Sequence, residues 1–305
     1  MVADVARAPP VSVRARSSTR VRDLIALTKP RITLMVVLTS AAGMTLAPGH
    51  IAARTFWLSM IGTALVVASA NALNMWWERD VDGKMARTKS RPLPAGRMSP
   101  RVALWFGLAL GAGSLPMLFA VNLMTGVLGL VALVTYVAIY TPMKRVTWMA
   151  LLVGAVPGAM PPLMGWTTVT GHADIGGLLL FGVLFLWQIP HFSAITLFRT
   201  QDYARAGLQV IAVQRGERAA KHVVVGYTVL LIVNTLLLYP FHMAGARYLA
   251  VAIVAGAIFL ALGIRGLLPV SDPAAGSKQA KLLFGYSIVY LIALLGSLLL
   301  DRIVA

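Results

Sequence analysis

Apolar runs long enough to cross a bilayer recur along this chain, and polar residues collect between them. A span needs about 20 apolar residues. Nine runs qualify, at roughly 24–47, 54–77, 101–120, 122–140, 149–168, 175–196, 222–240, 246–266 and 281–301. Pro116, Pro157, Pro161, Pro162 and Pro190 fall inside them, and membrane helices tolerate proline better than soluble helices do. The pattern predicts an all-α polytopic membrane protein. Its expected form is a bundle of nine transmembrane helices, with two polar cytoplasmic loops capping a central cavity. Residues 1–22 stand apart as a basic tail with Pro9-Pro10 and five arginines, expected to be disordered. The remainder, 23–305, is expected to form a single transmembrane domain.

Composition agrees with the pattern. The chain is 58% hydrophobic and 12% charged, with net charge +17 and mean hydropathy +0.79; soluble domains carry about 25% charged residues. In a soluble protein such a charge would suggest nucleic acid. Here the basic residues sit at the ends of the apolar runs, where topology and anionic phosphate groups account for them, so no nucleic-acid partner is expected. With the N-terminus inside, every one of the 27 lysines and arginines except Arg54, Arg247 and Arg302 lies on the inner side. That asymmetry places the N-terminus and both long loops, about 78–100 and 197–221, in the cytoplasm. The tail lacks the apolar core and cleavage site of a secretory signal. Its arginines and serines admit a mitochondrial transit peptide, but Asp4 and Pro9-Pro10 favour a bacterial inner (plasma) membrane protein over a mitochondrial one. With no cysteine there is no disulfide, thiolate metal site or cysteine nucleophile.

The chemistry concentrates between Asn71 and Pro92. The chain has ten acidic residues, and three of them, Glu78, Asp80 and Asp82, fall within five positions here. Asn74, Glu78 and Asp82 are spaced four apart. On a helix each step of four advances about 400°, so the three oxygen-bearing side chains form one stripe, and Asp80 faces elsewhere. Lys84, Arg87, Lys89 and Arg91 follow. Carboxylates hold Mg2+, Mg2+ bridges phosphate oxygens, and arginines take the remaining phosphate charge. A solvated juxtamembrane loop of mixed charge is the plainer alternative. Orientation in the membrane needs only the basic residues, though, since acids contribute little to it.

A second polar cluster comes after the sixth run: Trp187-Gln188-Ile189-Pro190-His191-Phe192, then Arg199 and Asp202-Tyr203. If the two halves are analogous, Asp202 faces the first cluster and serves a second Mg2+; otherwise it caps a loop helix. Gln188 and His191 are candidates for substrate contact, although a lone histidine is more often structural. Tyr140-Thr141-Pro142-Met143-Lys144-Arg145 closes the fourth run, and Lys29-Pro30-Arg31 interrupts the first, both on the inner face. Each reads either as inner-side anchoring or as phosphate binding.

Taken together, Thr28 to Arg31, Asn74 to Asp82, Met85 to Leu93, Tyr140 to Arg145, Gly158 to Trp166, Trp187 to Phe192 and Asp202 to Gly207 resemble the motifs of the UbiA-type intramembrane prenyltransferases, in order and over nearly everything after the tail. The single acid of the second motif is most similar to the haem-using branch of that superfamily. The resemblance implies transfer of a farnesyl group from farnesyl diphosphate to a vinyl group of haem B, with haem B as substrate rather than cofactor. It implies Mg2+ held by Asn74, Glu78, Asp82 and Asp202. It implies Arg87, Arg91, Lys144, Arg145 and Arg199 on the diphosphate, and Asn71, Gln188, His191, Tyr140, Tyr203, Lys29 and Arg31 near the substrates. A haem A synthase or terminal oxidase assembly would be the downstream partner. The alternatives are an aromatic or quinone-precursor acceptor and, in another class, a cation-coupled secondary transporter.

Overall fold

A computed structural model describes residues 21–269 and 272–304. The expected tail lies outside the described residues as far as position 20; Val21 and Arg22 already belong to the first helix, α1, Val21–Thr28. α2, Pro30–Leu46, comes next at a 44° bend. Lys29 makes the break with a left-handed backbone, φ 47°, and Pro30 has no N–H with which to continue the α1 ladder. The other long helices are α3, Ala53–Asp82; α4, Pro100–Val121; α5, Leu123–Val134; α7, Ala150–Thr170; α8, Ile175–Phe198; α11, Gly216–Leu237; α12, Ala246–Leu267; and α13, Pro273–Val304. α5 runs through a π-helical turn, Thr135–Tyr140, into the short α6, Thr141–Met143.

Seven helices among the described residues are long and apolar enough to cross a membrane, or eight with α1 and α2 counted as one bent span. The protein is a multi-pass membrane protein. The nine spans expected from sequence are not all reached by this measure, and the difference lies in α7. It has 21 residues, but three prolines and several glycines and threonines dilute its apolarity, and most of its residues are buried. α7 faces protein more than lipid.

The long helices form a ring. α2 packs on α3 and α7, α3 on α4, α4 on α5, α5 on α7, and α7 on α8; α8 packs on α11 and α13, α11 on α12, α12 on α13, and α13 returns to α2. Helix association in lipid relies on close packing of small residues, and the α2–α7 crossing shows it. A Cβ added at Gly165 would lie 1.9 Å from the Ser40 carbonyl oxygen, and one at Gly43 would lie 2.1 Å from the Pro162 carbonyl oxygen. Two backbones touch here with no side chain between them.

Both long polar loops lie at one end of the ring. The stretch after α3 passes through turns over residues 83–99, and the stretch after α8 carries α9, Thr200–Arg205, and α10, Ile211–Gln214. Val81 and Met85 from the first pack with Tyr203, Ala206 and Leu208 from the second. The Gln209 N–H donates to the Lys144 carbonyl at 2.9 Å, and the Trp148 N–H donates to Gln214 Oε1 at 2.9 Å. Three connections are thereby fastened into one cap.

Candidate metal–diphosphate site

The helix predicted to end near residue 77 continues to Asp82. The whole first motif therefore sits on the last turns of α3, where the stripe argument applies. Asn74, Glu78 and Asp82 are 2%, 8% and 4% exposed, whereas Asp80 is exposed. Asn74 Nδ2 donates to Glu78 Oε2 at 2.9 Å, one helical turn on.

Each stripe residue is also held by a base or hydroxyl from another element. Lys144 Nζ lies 2.5 Å from Glu78 Oε1, and Arg91 Nη1 lies 2.7 Å from Asp82 Oδ2. Lys29 Nζ donates to Asn74 Oδ1 at 3.5 Å, and Asn74 Nδ2 also reaches Thr141 Oγ1 at 3.0 Å. The Thr88 hydroxyl donates to the Asp82 backbone carbonyl at 2.8 Å and fixes the end of α3. Two buried carboxylates thus meet a base from the first loop and one from the α6 turn, and Lys29 at the α1–α2 break meets the amide of the same stripe.

The remaining acids do different work. Asp174, Asp272 and Asp301 accept hydrogen bonds from backbone N–H groups at helix starts. Asp23 is paired with Arg97 at 3.1 Å, and Glu217 with Lys221 at 2.8 Å. Asp202 sits between Arg199 at 3.6 Å and Arg205 at 3.4 Å. It lines a cavity of about 600 Å3 together with Glu217, Lys221 and Asp272. Among the described residues no three histidine or acidic side chains are grouped closely enough to hold a metal.

Other sequence candidates divide in the same way. Asn71 is buried and reaches the Thr28 carbonyl at 3.4 Å, tying α3 to α1. Arg87 stacks over Tyr203 at 5.9 Å, and Lys144 over Tyr140 at 4.5 Å. Arg31 and Arg145 are exposed. Gln188 is locked against α7: its Nε2 donates to the Ala155 carbonyl at 3.2 Å, and Gly158 leaves no room for a Cβ beside it. His191 Nδ1 is 2.7 Å from Ser287 Oγ, and its ring lies between Trp187 and Phe284. In this arrangement Gln188 and His191 bind helices to one another.

Thr141, Thr88 and the Asp23–Arg97 pair were not singled out from sequence. No sequence signal marked Thr141; the π-helical turn before it belongs to the fold. The extra residue of such a turn re-aims the next side chains and is frequent at functional sites; here the Thr141 hydroxyl bonds both the Tyr136 carbonyl, at 2.8 Å, and Asn74.

The donor set suits Mg2+. That ion is normally held by one or two carboxylates with substrate phosphates and water, not by an all-protein cage, and Glu78 with Asp82 meets that requirement. The bases now neutralising these carboxylates are the kind of group that phosphate oxygens draw.

The profile described as the UbiA prenyltransferase family matches residues 36–297. A protein named protoheme IX farnesyltransferase from Myxococcus xanthus (strain DK1622) is 50% identical over 295 residues, 96% of this chain and 99% of that protein. Another of that name from Anaeromyxobacter dehalogenans (strain 2CP-C) is 48% identical over 92% of this chain and 94% of that protein. Among solved structures, a digeranylgeranylglyceryl phosphate synthase superposes with TM-score 0.79 at 14% identity, covering 93% of this chain and 99% of that one. The UbiA homologue of Archaeoglobus fulgidus bound to GPP and Mg2+ superposes with TM-score 0.65 at 18% identity, covering 88% and 99%.

Proposed function

This chain belongs to the UbiA prenyltransferase family and is a prenyltransferase; on that premise we propose that it transfers a farnesyl group from farnesyl diphosphate to a vinyl group of haem B. The observation that carries the diphosphate half is the buried pairing of Glu78 and Asp82 with Lys144 and Arg91. The acceptor half rests on the name shared by relatives at 50% and 48% identity over nearly the whole chain. The transporter alternative gives way to the family match, and the acids lie at the end of α3, not at a mid-membrane break.

Asn74, Glu78 and Asp82 would hold Mg2+, with the diphosphate completing its coordination; Asp202, carried on the second loop, would serve from across the cap. Bound there, Mg2+ would supply positive charge to the leaving diphosphate. Lys29, Lys144 and Arg91 turn from the stripe to phosphate oxygens, with Arg87, Arg145 and Arg199 as outer contacts. The C1–O bond of farnesyl diphosphate breaks and the electron pair leaves with diphosphate. The vinyl π electrons form the new C–C bond, and water adds to the resulting cation and loses a proton, giving a hydroxyethylfarnesyl group. The buried stripe and its apolar neighbours Ala72, Met75 and Val81 limit the water that would quench the allylic cation first.

Purified enzyme with Mg2+, farnesyl diphosphate and haem B is expected to yield a haem heavier by one farnesyl group and one hydroxyl group by mass spectrometry, and EDTA is expected to stop it. Prenylation of 4-hydroxybenzoate or another phenol with haem unchanged would transfer the assignment to an aromatic acceptor. A product haem of this kind would pass to a haem A synthase or a terminal oxidase in assembly.

Placement in the bacterial inner membrane with the cap facing the cytoplasm is supported by the charge asymmetry. A single cysteine at Lys89 or Arg215 is expected to label only from the cytoplasmic side, and one at Arg247 only from the other. Labelling of Lys89 and Arg247 from the same side would refute this topology.

A further inference from the structure

The break at Lys29 opens a cavity of about 1010 Å3 between α1, the start of α2 and the stretch 90–97. Small-molecule sites are typically about 300–1,000 Å3, so this one is large enough for a macrocycle. Its charged lining is Arg22, Lys29, Arg31, Arg91 and Arg97 against one acid, Asp23. Asp23 is committed to Arg97, which also donates to the Ser90 carbonyl from both Nη atoms at 3.1 Å. Lys29 and Arg91 are turned to Asn74 and Asp82. Among the described residues Arg22 and Arg31 make no ion pair and no side-chain hydrogen bond.

The basic lining therefore divides into residues that also contact the carboxylate stripe and residues that do not. Lys29 and Arg91 belong to the first group and connect the cavity to the stripe. Arg22 and Arg31, the two bases of the lining without an ion pair or side-chain hydrogen bond among the described residues, are exposed, as is Ile32 in the same lining. A ligand suited to it is apolar and planar in its body, carries carboxylates at one edge, and presents its reacting group at the other. The roughly 600 Å3 cavity beside Asp202 offers the reverse, since Asp202, Glu217 and Asp272 line it and would repel carboxylates.

We propose that the cavity at the α1–α2 break is the carboxylate-binding subsite for the acceptor, with Arg22 and Arg31 pairing to its two propionates and Arg97 holding the wall. This rests on the haem reading above. In haem B the vinyl and propionate groups occupy opposite edges, so carboxylates held by Arg22 and Arg31 leave a vinyl free to meet the stripe, which Lys29 and Arg91 of the same lining contact. Arginine suits the task because its fork pairs with a carboxylate through two hydrogen bonds.

The test uses the full-length enzyme and the haem absorbance band as a binding readout, without farnesyl diphosphate. Arg22→Gln/Arg31→Gln is expected to weaken haem B binding roughly tenfold or more and to leave the KM for farnesyl diphosphate unchanged. Haem dimethyl ester should bind the wild type as weakly as haem B binds the variant, and the variant should not distinguish the two. Equal haem B affinity in both proteins, or an esterification penalty undiminished in the variant, would overturn the subsite while wild-type farnesylation of haem left the function standing. A variant defect seen only in nanodiscs containing phosphatidylglycerol, and absent in neutral ones, would assign the arginines to lipid phosphates and also overturn it. Failure of the wild type to bind or farnesylate haem B would instead reject the haem reading itself.

Discussion

Glu78→Gln and Asp82→Asn are each expected to lower kcat at least about 100-fold, the scale seen when one preorganised electrostatic contact to a developing charge is removed, while Asp80→Asn retains most of its activity. All three substitutions remove one negative charge from the same short stretch of α3 and preserve shape. They differ in where the side chain points. Glu78 and Asp82 are buried and held by Lys144 and Arg91, and Asp80 is exposed. Removing one charge from a buried pair leaves its partner uncompensated, which destabilises a fold, so the thermal midpoint is measured beside the rate. Lys144→Met with Glu78→Gln removes both partners and separates the two effects. Recovery of stability in the double variant without recovery of turnover is the expected pattern. Equal loss of turnover at Asp80, Glu78 and Asp82 would contradict the division of labour along α3.

Gly165→Ala is expected to destabilise the protein by at least about 1–3 kcal/mol, the usual cost of overpacking, and to reduce the yield of monodisperse protein. The added Cβ would meet the Ser40 carbonyl oxygen at 1.9 Å, and a backbone oxygen has no rotamer in which to retreat. α2 and α7 would have to separate, and α2 leads back to Lys29 and the cavity at the break. Gly226→Ala is the matched control: nothing lies within 4 Å of its new Cβ, and alanine favours helix over glycine, so stability should hold or rise slightly. Similar behaviour of the two variants in a thermal unfolding assay would show that the α2–α7 contact is looser than described.

The helical nature of the chain, its membrane spans and the orientation of the acid stripe were legible because each depends on a local period or a run of one kind of residue. The four-residue spacing of Asn74, Glu78 and Asp82 separated them from Asp80 before any contact was known, and burial shows the same division. The partners of the stripe were less legible. Lys144 was one of many bases on the inner face, and its contact with Glu78 depends on a π-helical turn that no spacing rule signals. Asp202 was expected to face the stripe by analogy between halves; the bases paired with it, Arg199 and Arg205, are close in sequence and signal nothing about the other half. Gln188 and His191 stood out as polar residues in an apolar run, and their bonds to Ala155 and Ser287 come from helix pairings that only the ring arrangement creates. α7 illustrates the limit of hydropathy: its prolines and glycines suit a helix buried among others, and a length-and-apolarity measure passes over it.

The central claim is an exchange of partners, in which the stripe releases its bases to diphosphate and receives Mg2+ in return. Calorimetric titration of farnesyl diphosphate into purified protein, with Mg2+ and then with EDTA, tests it most directly. The expected result is tight binding by the wild type only when Mg2+ is present, with Glu78→Gln binding weakly under both conditions. Wild-type affinity that is the same in EDTA as in Mg2+, or full Mg2+-dependent affinity in Glu78→Gln, would contradict it.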